Sequence, residues 1–214
     1  MPSVTLTELQ QYVLDRLDAN STFFTTTEIT NALNEAYRLM NVFCQLNQTT
    51  ATVSGNSVIN QSVYQTPAPI LIPLVVNFAG RQLRKMSFQA LARNFPGFAS
   101  DATVKLGRVQ RWAPIGINQF LIHPMDSVGG RTITVTGVIE PTPLASGGDV
   151  LSLDDDFVSM AVEYAAHRVQ LKEGGQVFSD ASLLLQRFYG FLKQRMRLSG
   201  MTFPRYFVLS GPTE

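Results

Sequence analysis

The stretch Leu153-Asp-Asp-Asp-Phe-Val-Ser-Met-Ala-Val-Glu-Tyr-Ala-Ala-His-Arg168 decides the fold, because it returns the chain to helix after a long β-patterned segment. Its three carboxylates suit a helix N-terminus, where negative charge offsets the positive end of the helix dipole. An apolar stripe at helical spacing follows, made of Phe157, Ala161, Ala165 and Val169. The alanines permit close approach of a second helix, and Gly174-Gly175 is predicted to end this one.

Two capping boxes predict a helix pair in the first part of the chain. Thr5-Leu-Thr-Glu8 and Thr25-Thr-Thr-Glu28 each place a threonine three residues before a glutamate, so each side chain can bond the other residue's backbone N–H. The apolar residues that follow at helical spacing are Leu6, Leu9, Val13, Leu14 and Leu17 in the first helix, and Ile29, Leu33, Ala36, Tyr37, Met40 and Phe43 in the second. A further helix is predicted from about Ser179 to Leu198, with Leu184, Leu185, Phe188, Leu192 and Met196 directed inward.

Between these helices, residues 50–153 have the short period and the turn residues of β structure. Ile70–Phe78 is predicted to be a strand that approaches Gly80, and Arg131–Ile139 is the clearest strand, with a bulge at Gly137. The other predicted elements are strands at 107–112 and 117–123, a β-turn between them at Ala113-Pro-Ile-Gly116, and one or two helical turns at Ser87–Asn94.

We therefore predict an α+β fold, an antiparallel helical bundle from both chain ends with an inserted small antiparallel β domain. Residues 1–49 plus 154–200 form the helical core, residues 50–153 the inserted β domain, and residues 201–214 a C-terminal docking tail. Each helix pair alone would leave an apolar stripe exposed, and joining the pairs buries both stripes.

The composition indicates a folded protein with a weakly charged surface. Of the 214 residues 45% are hydrophobic and 15% charged, with a formal net charge of +1. A surface rich in Thr, Ser, Asn and Gln favours protein contacts, because each buried charge carries a desolvation cost. The lone Cys44 allows no internal disulfide and fits a reducing compartment.

The sequence predicts neither a signal peptide nor a membrane span. The first turns carry Glu8, Asp15 and Arg16 rather than an apolar run. The longest apolar run, Ile70–Val76, is too short to cross a bilayer as a helix and contains Pro73. We expect a soluble protein that is made in the cytoplasm.

No catalytic or metal-binding motif accompanies this plan, so we expect a protein that is not an enzyme and has no cofactor. His123 and His167 are the two histidines, and no Gly-x-Ser-x-Gly elbow is present. His167 follows Glu163 by four positions, which predicts a helix-surface pair rather than a zinc ligand. Asp154-Asp-Asp156 lacks the glycine and distal glutamate of a calcium loop, so capping is the preferred interpretation.

Basic residues are concentrated between positions 81 and 111, where Asp101 alone opposes Arg81, Arg84, Lys85, Arg93, Lys105, Arg108 and Arg111. The common interpretation is solvated charge spread over several strands. The alternatives are a complementary protein face and a nucleic-acid path. A nucleic-acid-binding module that uses residues 81–111 is the alternative function.

The order of features resembles the head-to-tail adaptor (connector) proteins of tailed bacteriophages, and the resemblance covers nearly the whole chain. It rests on Phe24-Thr-Thr-Thr-Glu-Ile-Thr-Asn-Ala-Leu-Asn-Glu-Ala-Tyr37, Gln119-Phe-Leu-Ile-His-Pro124, Thr132–Val138, and Leu153–Arg168 followed by Glu173-Gly174. The aromatic-Gly-Leu-Pro rhythm typical of the family before its middle strands is matched only in part, by Tyr64-Gln-Thr-Pro67 and Gly80.

The resemblance implies a structural virion protein in the neck, made in the host cytoplasm, that joins the portal to the tail. It implies a homo-oligomeric ring, expected to be a dodecamer to match the portal, whose channel continues the path of the DNA. The implied partners are the portal protein, a tail or nozzle protein, and DNA that passes during genome ejection without sequence-specific binding. A membrane is not among them. The helices would pack ring neighbours side by side, and the β insertion would project toward the tail.

Two sets of residues become candidates within this picture. Arg81, Arg84 and Lys85 are possible DNA-channel charges. The docking tail, with Phe203, Arg205, Tyr206, Phe207, Val208 and Leu209, is predicted to bind the portal as an added strand whose aromatic side chains fill pockets. The alternative for the tail is that it folds back on its own core.

Overall fold

The computed structural model describes residues 4–18, 23–95, 106–116, 118–151, 153–172 and 176–198. Within these residues the fold is α+β, which confirms the predicted class. The helices are α1 (Leu6–Leu17), α2 (Thr26–Cys44), α3 (Phe88–Asn94), α4 (Asp155–Gln170) and α5 (Gln176–Leu198). The strands are β1 (Val4–Thr5), β2 (Gln48–Thr52), β3 (Val63–Gln65), β4 (Ile70–Phe78), β5 (Arg81–Gln82), β6 (Arg84–Lys85), β7 (Leu106–Gly107), β8 (Arg111–Gly116), β9 (Gln119–His123), β10 (Met125–Asp126), β11 (Ile133–Ile139) and β12 (Val150–Leu151).

Both predicted capping boxes are present at the starts of α1 and α2. The backbone N–H of Glu8 donates to Thr5 Oγ1 at 3.3 Å, and Thr5 N–H donates to the Glu8 carboxylate at 2.8 Å. Thr25 and Glu28 repeat the arrangement at 3.3 and 3.0 Å. These bonds satisfy amide groups that a helix leaves without internal partners, which is why the helices begin where the sequence predicted.

Helix α4 differs from its prediction on one face. His167 is buried, whereas the sequence predicted a surface pair with Glu163. Glu163 lies 3.7 Å from Arg16 and 3.5 Å from Arg187. The reason is that α4 packs against α1, α2 and α5, so neighbouring helices cover most of its circumference.

The described residues divide into two compact units, one taking residues up to Gln45 and from Pro141 onward, the other Leu46–Glu140. In the first unit β1 pairs antiparallel with β12 next to the helices. The Asn34 side chain donates to Leu144 O at 2.9 Å and accepts from Leu144 N at 2.8 Å. These bonds attach the stretch after Pro141 to α2.

The second unit contains two four-stranded sheets, with strand orders β2-β11-β4-β5 and β3-β9-β8-β6. Pairing is antiparallel except for two short parallel pairs, β6 with β8 and β7 with β10. One buried cluster includes residues of both sheets: Val53, Tyr64, Ile70, Val76, Phe78, Leu83, Val109, Trp112, Phe120, Ile122, Ile133 and Val135.

The register between β11 and β4 shifts between Thr136 and Gly137, where the sequence predicted a bulge, but the extra residue is Leu74 on β4 rather than Gly137 on β11. A Cβ atom added at Gly137 would overlap the backbone carbonyl oxygen of Ile72 on β4. The glycine is therefore required by the close approach of the two strands.

The β-turn predicted at Ala113-Pro-Ile-Gly116 is wrong, because these residues continue β8. Ala113 pairs with Leu121 and Gly116 with Gln119, so the chain reverses after Gly116, next to Asn118. Asn118 has a φ of 58°, which asparagine tolerates better than most residues. Pro114 is accommodated at an irregularity in the pairing of β8 with β9.

Candidate functional site

The segment from Arg81 to Lys85 connects the edges of the two sheets in the second unit. Its first two residues form edge strand β5 and its last two form edge strand β6. Leu83 lies between them and is 4% exposed, inside the shared core. Its neighbours Arg81, Arg84 and Lys85 are exposed, so one buried leucine anchors a run of outward-facing positive charge.

Among the described carboxylates, none forms an ion pair with Arg81, Arg84 or Lys85. The Lys85 ammonium lies 5.3 Å from the centroid of the Trp112 ring, and partial burial lowers the pKa of Lys85. Charged residues on short edge strands also prevent edge-to-edge pairing of sheets, which is a sufficient structural reason for Arg84 and Lys85.

Arg81 lines an open cleft of about 470 Å³ together with Arg108 and Arg131. We call it the arginine cleft; its other described lining residues are Phe78, Ala79, Val109 and Ser127. Three arginines thus line one concave surface, and no carboxylate is among the described lining residues.

The register of the strands explains why these arginines converge. Arg81 pairs with Phe78 across the tight turn at Ala79-Gly80, where both residues have positive φ, as hairpin turns of this length require. Phe78 also pairs with Ile133 on its other side, which brings the residues before β11 to the same strand end. Arg131 lies there, with its guanidinium 5.8 Å from the Phe78 ring centroid.

Arg108 reaches the cleft through the parallel pair of β7 and β10. Gly107 pairs with Asp126, so the residue after each, Arg108 and Ser127, enters the same region. Val109 is buried in the core, which leaves Arg108 exposed beside it.

A buried carboxylate lies behind the cleft. Asp126 is fully buried, and its carboxylate accepts from Ser57 Oγ at 2.6 Å, Gly129 N at 3.0 Å and Val128 N at 3.1 Å. Arg131 Nη1 lies 3.5 Å from the same carboxylate. Ser57 Oγ in turn accepts from Arg131 N at 2.9 Å. The Asp126 network therefore fixes the loop that carries Arg131.

Burial alone would raise the pKa of Asp126. The hydrogen bonds from Ser57, Val128 and Gly129, with the positive charge of Arg131, outweigh burial and hold the pKa below its ordinary value. Asp126 is therefore ionised near neutral pH, and its oxygen atoms are already occupied by protein donors.

The structure brings together only part of the predicted charge set. Arg81 lines the arginine cleft, whereas Arg84 and Lys85 lie on the other sheet and are not among its lining residues. Arg108 belongs to the predicted basic stretch.

The sequence did not indicate Arg131, because Arg131 lies twenty residues beyond the basic stretch, and only the pairing of β11 with β4 places it beside Phe78. The docking-tail residues from Phe203 to Leu209 lie outside the described part of the chain.

Other chemical features of the described residues have structural explanations. They contain no group of three or more His, Cys, Asp or Glu side chains suited to a metal ion. His123 is buried against Phe95, with ring centroids 4.8 Å apart. Burial raises the pKa of Cys44 to about 11, which keeps it a thiol near neutral pH. In the same portion of the chain, no helix is both long and apolar enough to cross a membrane.

A protein-family model described as SU10 adaptor protein matches residues 4–205. The match includes both structural units and every residue of the arginine cleft, and it ends before Tyr206. No curated protein matches the chain.

Proposed function

Because this chain belongs to the SU10 adaptor protein family, we propose that it is a structural protein of a tailed-phage virion that joins the portal to the tail. The subunits form a ring, expected to be a dodecamer, which lies in the neck and continues the DNA channel. The family match over residues 4–205 is the observation that carries this proposal.

In this proposal the helices from both chain ends form an antiparallel bundle into which the β domain is inserted. The packing of α4 against α1, α2 and α5 supports the bundle, since it unites residues that are more than a hundred positions apart in sequence. In the ring, neighbouring bundles pack side by side, and the β domain projects toward the tail.

Imaging tests ring formation and portal attachment directly. The purified protein is mixed with its portal protein and examined by electron microscopy with symmetry analysis. A closed ring seated on the portal is the expected result. A subunit that stays monomeric with portal present at micromolar concentration contradicts the proposal.

Residues 201–214 provide the portal contact in this proposal. Phe203, Tyr206, Phe207, Val208 and Leu209 supply apolar side chains, and Arg205 a charge, in a segment suited to strand addition at a sheet edge. Deleting residues 201–214 is expected to abolish portal attachment and leave the melting temperature unchanged. A large drop in monomer stability with portal binding intact would instead indicate that the segment folds on its own core.

Arg81, Arg84 and Lys85 are assigned to the channel surface. A channel should attract DNA only mildly, because tight binding of phosphates would obstruct genome passage. In the assembled particle these residues are expected to face the lumen. If all three map to a dry subunit interface, the assignment fails.

The second candidate function is a nucleic-acid-binding module that uses residues 81–111, and the arginine cleft favours it. The two functions differ in affinity. Tight and strongly salt-dependent DNA binding by the isolated subunit supports the module, whereas weak binding together with ring formation supports the adaptor.

A further inference from the structure

We propose that the arginine cleft is a phosphate-binding site, with one phosphate group held between Arg81, Arg108 and Arg131. The site follows from geometry alone. Its assignment to the phosphodiester backbone of double-stranded DNA rests on the proposed adaptor function.

The cleft has the chemistry that phosphate recognition requires. A guanidinium group presents N–H donors in a planar fork that matches two phosphate oxygens, and it stays charged at any physiological pH. Three arginines line the cleft beside Ser127, and no carboxylate is among the described lining residues. Like charges that share a concave surface repel one another, so an anion between them lowers the energy of the folded protein.

The nearby carboxylate does not serve as that anion. Asp126 is fully buried behind the cleft and accepts hydrogen bonds from Ser57, Val128 and Gly129. Its one contact with a cleft arginine is the 3.5 Å pair with Arg131, which is longer than a strong charge-assisted hydrogen bond. The Asp126 network thus orients Arg131, and among the described carboxylates none forms an ion pair with Arg81 or Arg108.

The backbone of each cleft arginine lies on or next to paired strands, and the Arg131 side chain is held as well. Arg81 follows a two-residue hairpin turn, Arg108 follows a paired strand, and Arg131 is held through its backbone N–H by Ser57 and through its side chain by Asp126 and Phe78. Prior positioning reduces the conformational entropy lost when an anion binds.

The test uses the full chain with two probes, inorganic phosphate and a 30-base-pair duplex of mixed sequence. NMR of the arginine Nε–Hε groups detects binding down to millimolar affinity. Fluorescence anisotropy of the labelled duplex as a function of salt gives the number of phosphate contacts. The variants are Arg81→Gln and Arg108→Gln, with Arg93→Gln as the matched control, since Arg93 is exposed on α3 in the same unit and does not line the cleft.

Both probes are expected to shift the side-chain signals of Arg81, Arg108 and Arg131. Each cleft variant should reduce the slope of log K against log salt by about 0.9, the value for one lost phosphate contact, and the control should not. Phosphate binding that depends on Arg108 without duplex binding would keep the site and overturn DNA as the source. Absence of shifts with both probes, or duplex binding whose salt slope is the same for all three variants, would overturn the site.

Portal attachment is a separate readout. Arg108→Gln is expected to join the portal ring normally, because the portal contact is assigned to residues 201–214 and not to the cleft. If the unmodified chain forms no ring with the portal, the proposed function fails. The phosphate titration still tests the cleft, because it does not depend on ring formation.

Discussion

Replacing Asp126 by asparagine tests whether the Asp126 hydrogen bonds stabilise the loop that carries Arg131. The two oxygen atoms have different partners: Oδ2 accepts from Ser57 Oγ and Gly129 N, and Oδ1 accepts from Val128 N. Asparagine retains one oxygen. If that oxygen replaces Oδ2, the Val128 N–H loses its acceptor. If it replaces Oδ1, the Gly129 N–H loses its acceptor and the amide group faces the Ser57 hydroxyl.

The magnitude follows from these bonds. One or two hydrogen bonds are lost, and each hydrogen bond to a charged acceptor contributes about 1.5–3 kcal/mol. Part of the loss is offset because asparagine avoids burying a charge. The Arg131 pair adds little, since that side chain is 37% exposed and solvent screens it. We expect Asp126→Asn to lower the free energy of unfolding by about 2–4 kcal/mol.

Urea unfolding near neutral pH measures the difference, and hydrogen exchange at Gly129 and Arg131 localises it. The matched control is Asp154→Asn, because Asp154 is exposed and its side chain makes no capping hydrogen bond. That control should change stability by less than about 0.5 kcal/mol. If Asp126→Asn is as stable as the control and exchanges no faster at the loop, the network does not stabilise the cleft.

The pH dependence of the same pair gives a second check. The folded-state pKa of Asp126 is below the ordinary value of 3.8. Its contribution is therefore fully present above pH 3.8 and declines as the pH falls toward the folded-state pKa. The difference between the unmodified chain and Asp126→Asn should shrink in that acidic range and stay constant between pH 5 and pH 8.

Two further predictions concern other parts of the fold. Gly137→Ala should destabilise the protein by about 1–3 kcal/mol in thermal or urea unfolding, because the new Cβ overlaps strand β4. Gly190→Ala, on an open part of α5, should instead stabilise the protein by about 0.5–1 kcal/mol. Equal effects of the two substitutions on stability would contradict both explanations. The hydrogen bond from the Thr25 backbone, followed by the bond from Lys172, lowers the pKa of Glu28 from 4.5 to about 2. Stability should therefore fall as the pH drops from 4.5 toward 2, and Glu28→Gln should remove that part of the loss while the profile above pH 5 keeps its shape.

Local chemistry made the helix starts and the main strands predictable. Thr5 and Thr25 begin their helices as the capping boxes indicate, since a capping box depends on residues only three positions apart. The irregular pairing beside Gly137 was predictable for a similar reason, because a glycine that interrupts a β-branched alternation indicates an irregular strand, whereas the position of the extra residue on β4 was not.

Features that depend on long-range pairing could not be predicted. Pro114 indicated a turn, but pairing of β8 with β9 extends the strand through it. The polar residue His167 indicated a helix surface, but three other helices surround α4. Arg131 lies in the candidate site because β11 pairs with β4 in a register that places it beside Phe78. That register cannot be read from the sequence around Arg131 alone.

The segment from Arg81 to Lys85 connects the edges of the two sheets, and this connection should limit insertions and deletions at this point of the chain. Leu83 N–H donates to Val76 O at 2.9 Å in one sheet, and the next amide, of Arg84, donates to Gln110 O at 2.9 Å beside the other. Since side chains alternate along extended backbone, one inserted residue would turn Leu83 outward or detach one edge strand. Natural insertions and deletions should therefore collect in loops such as the one after Pro141 and be absent between Phe78 and Met86.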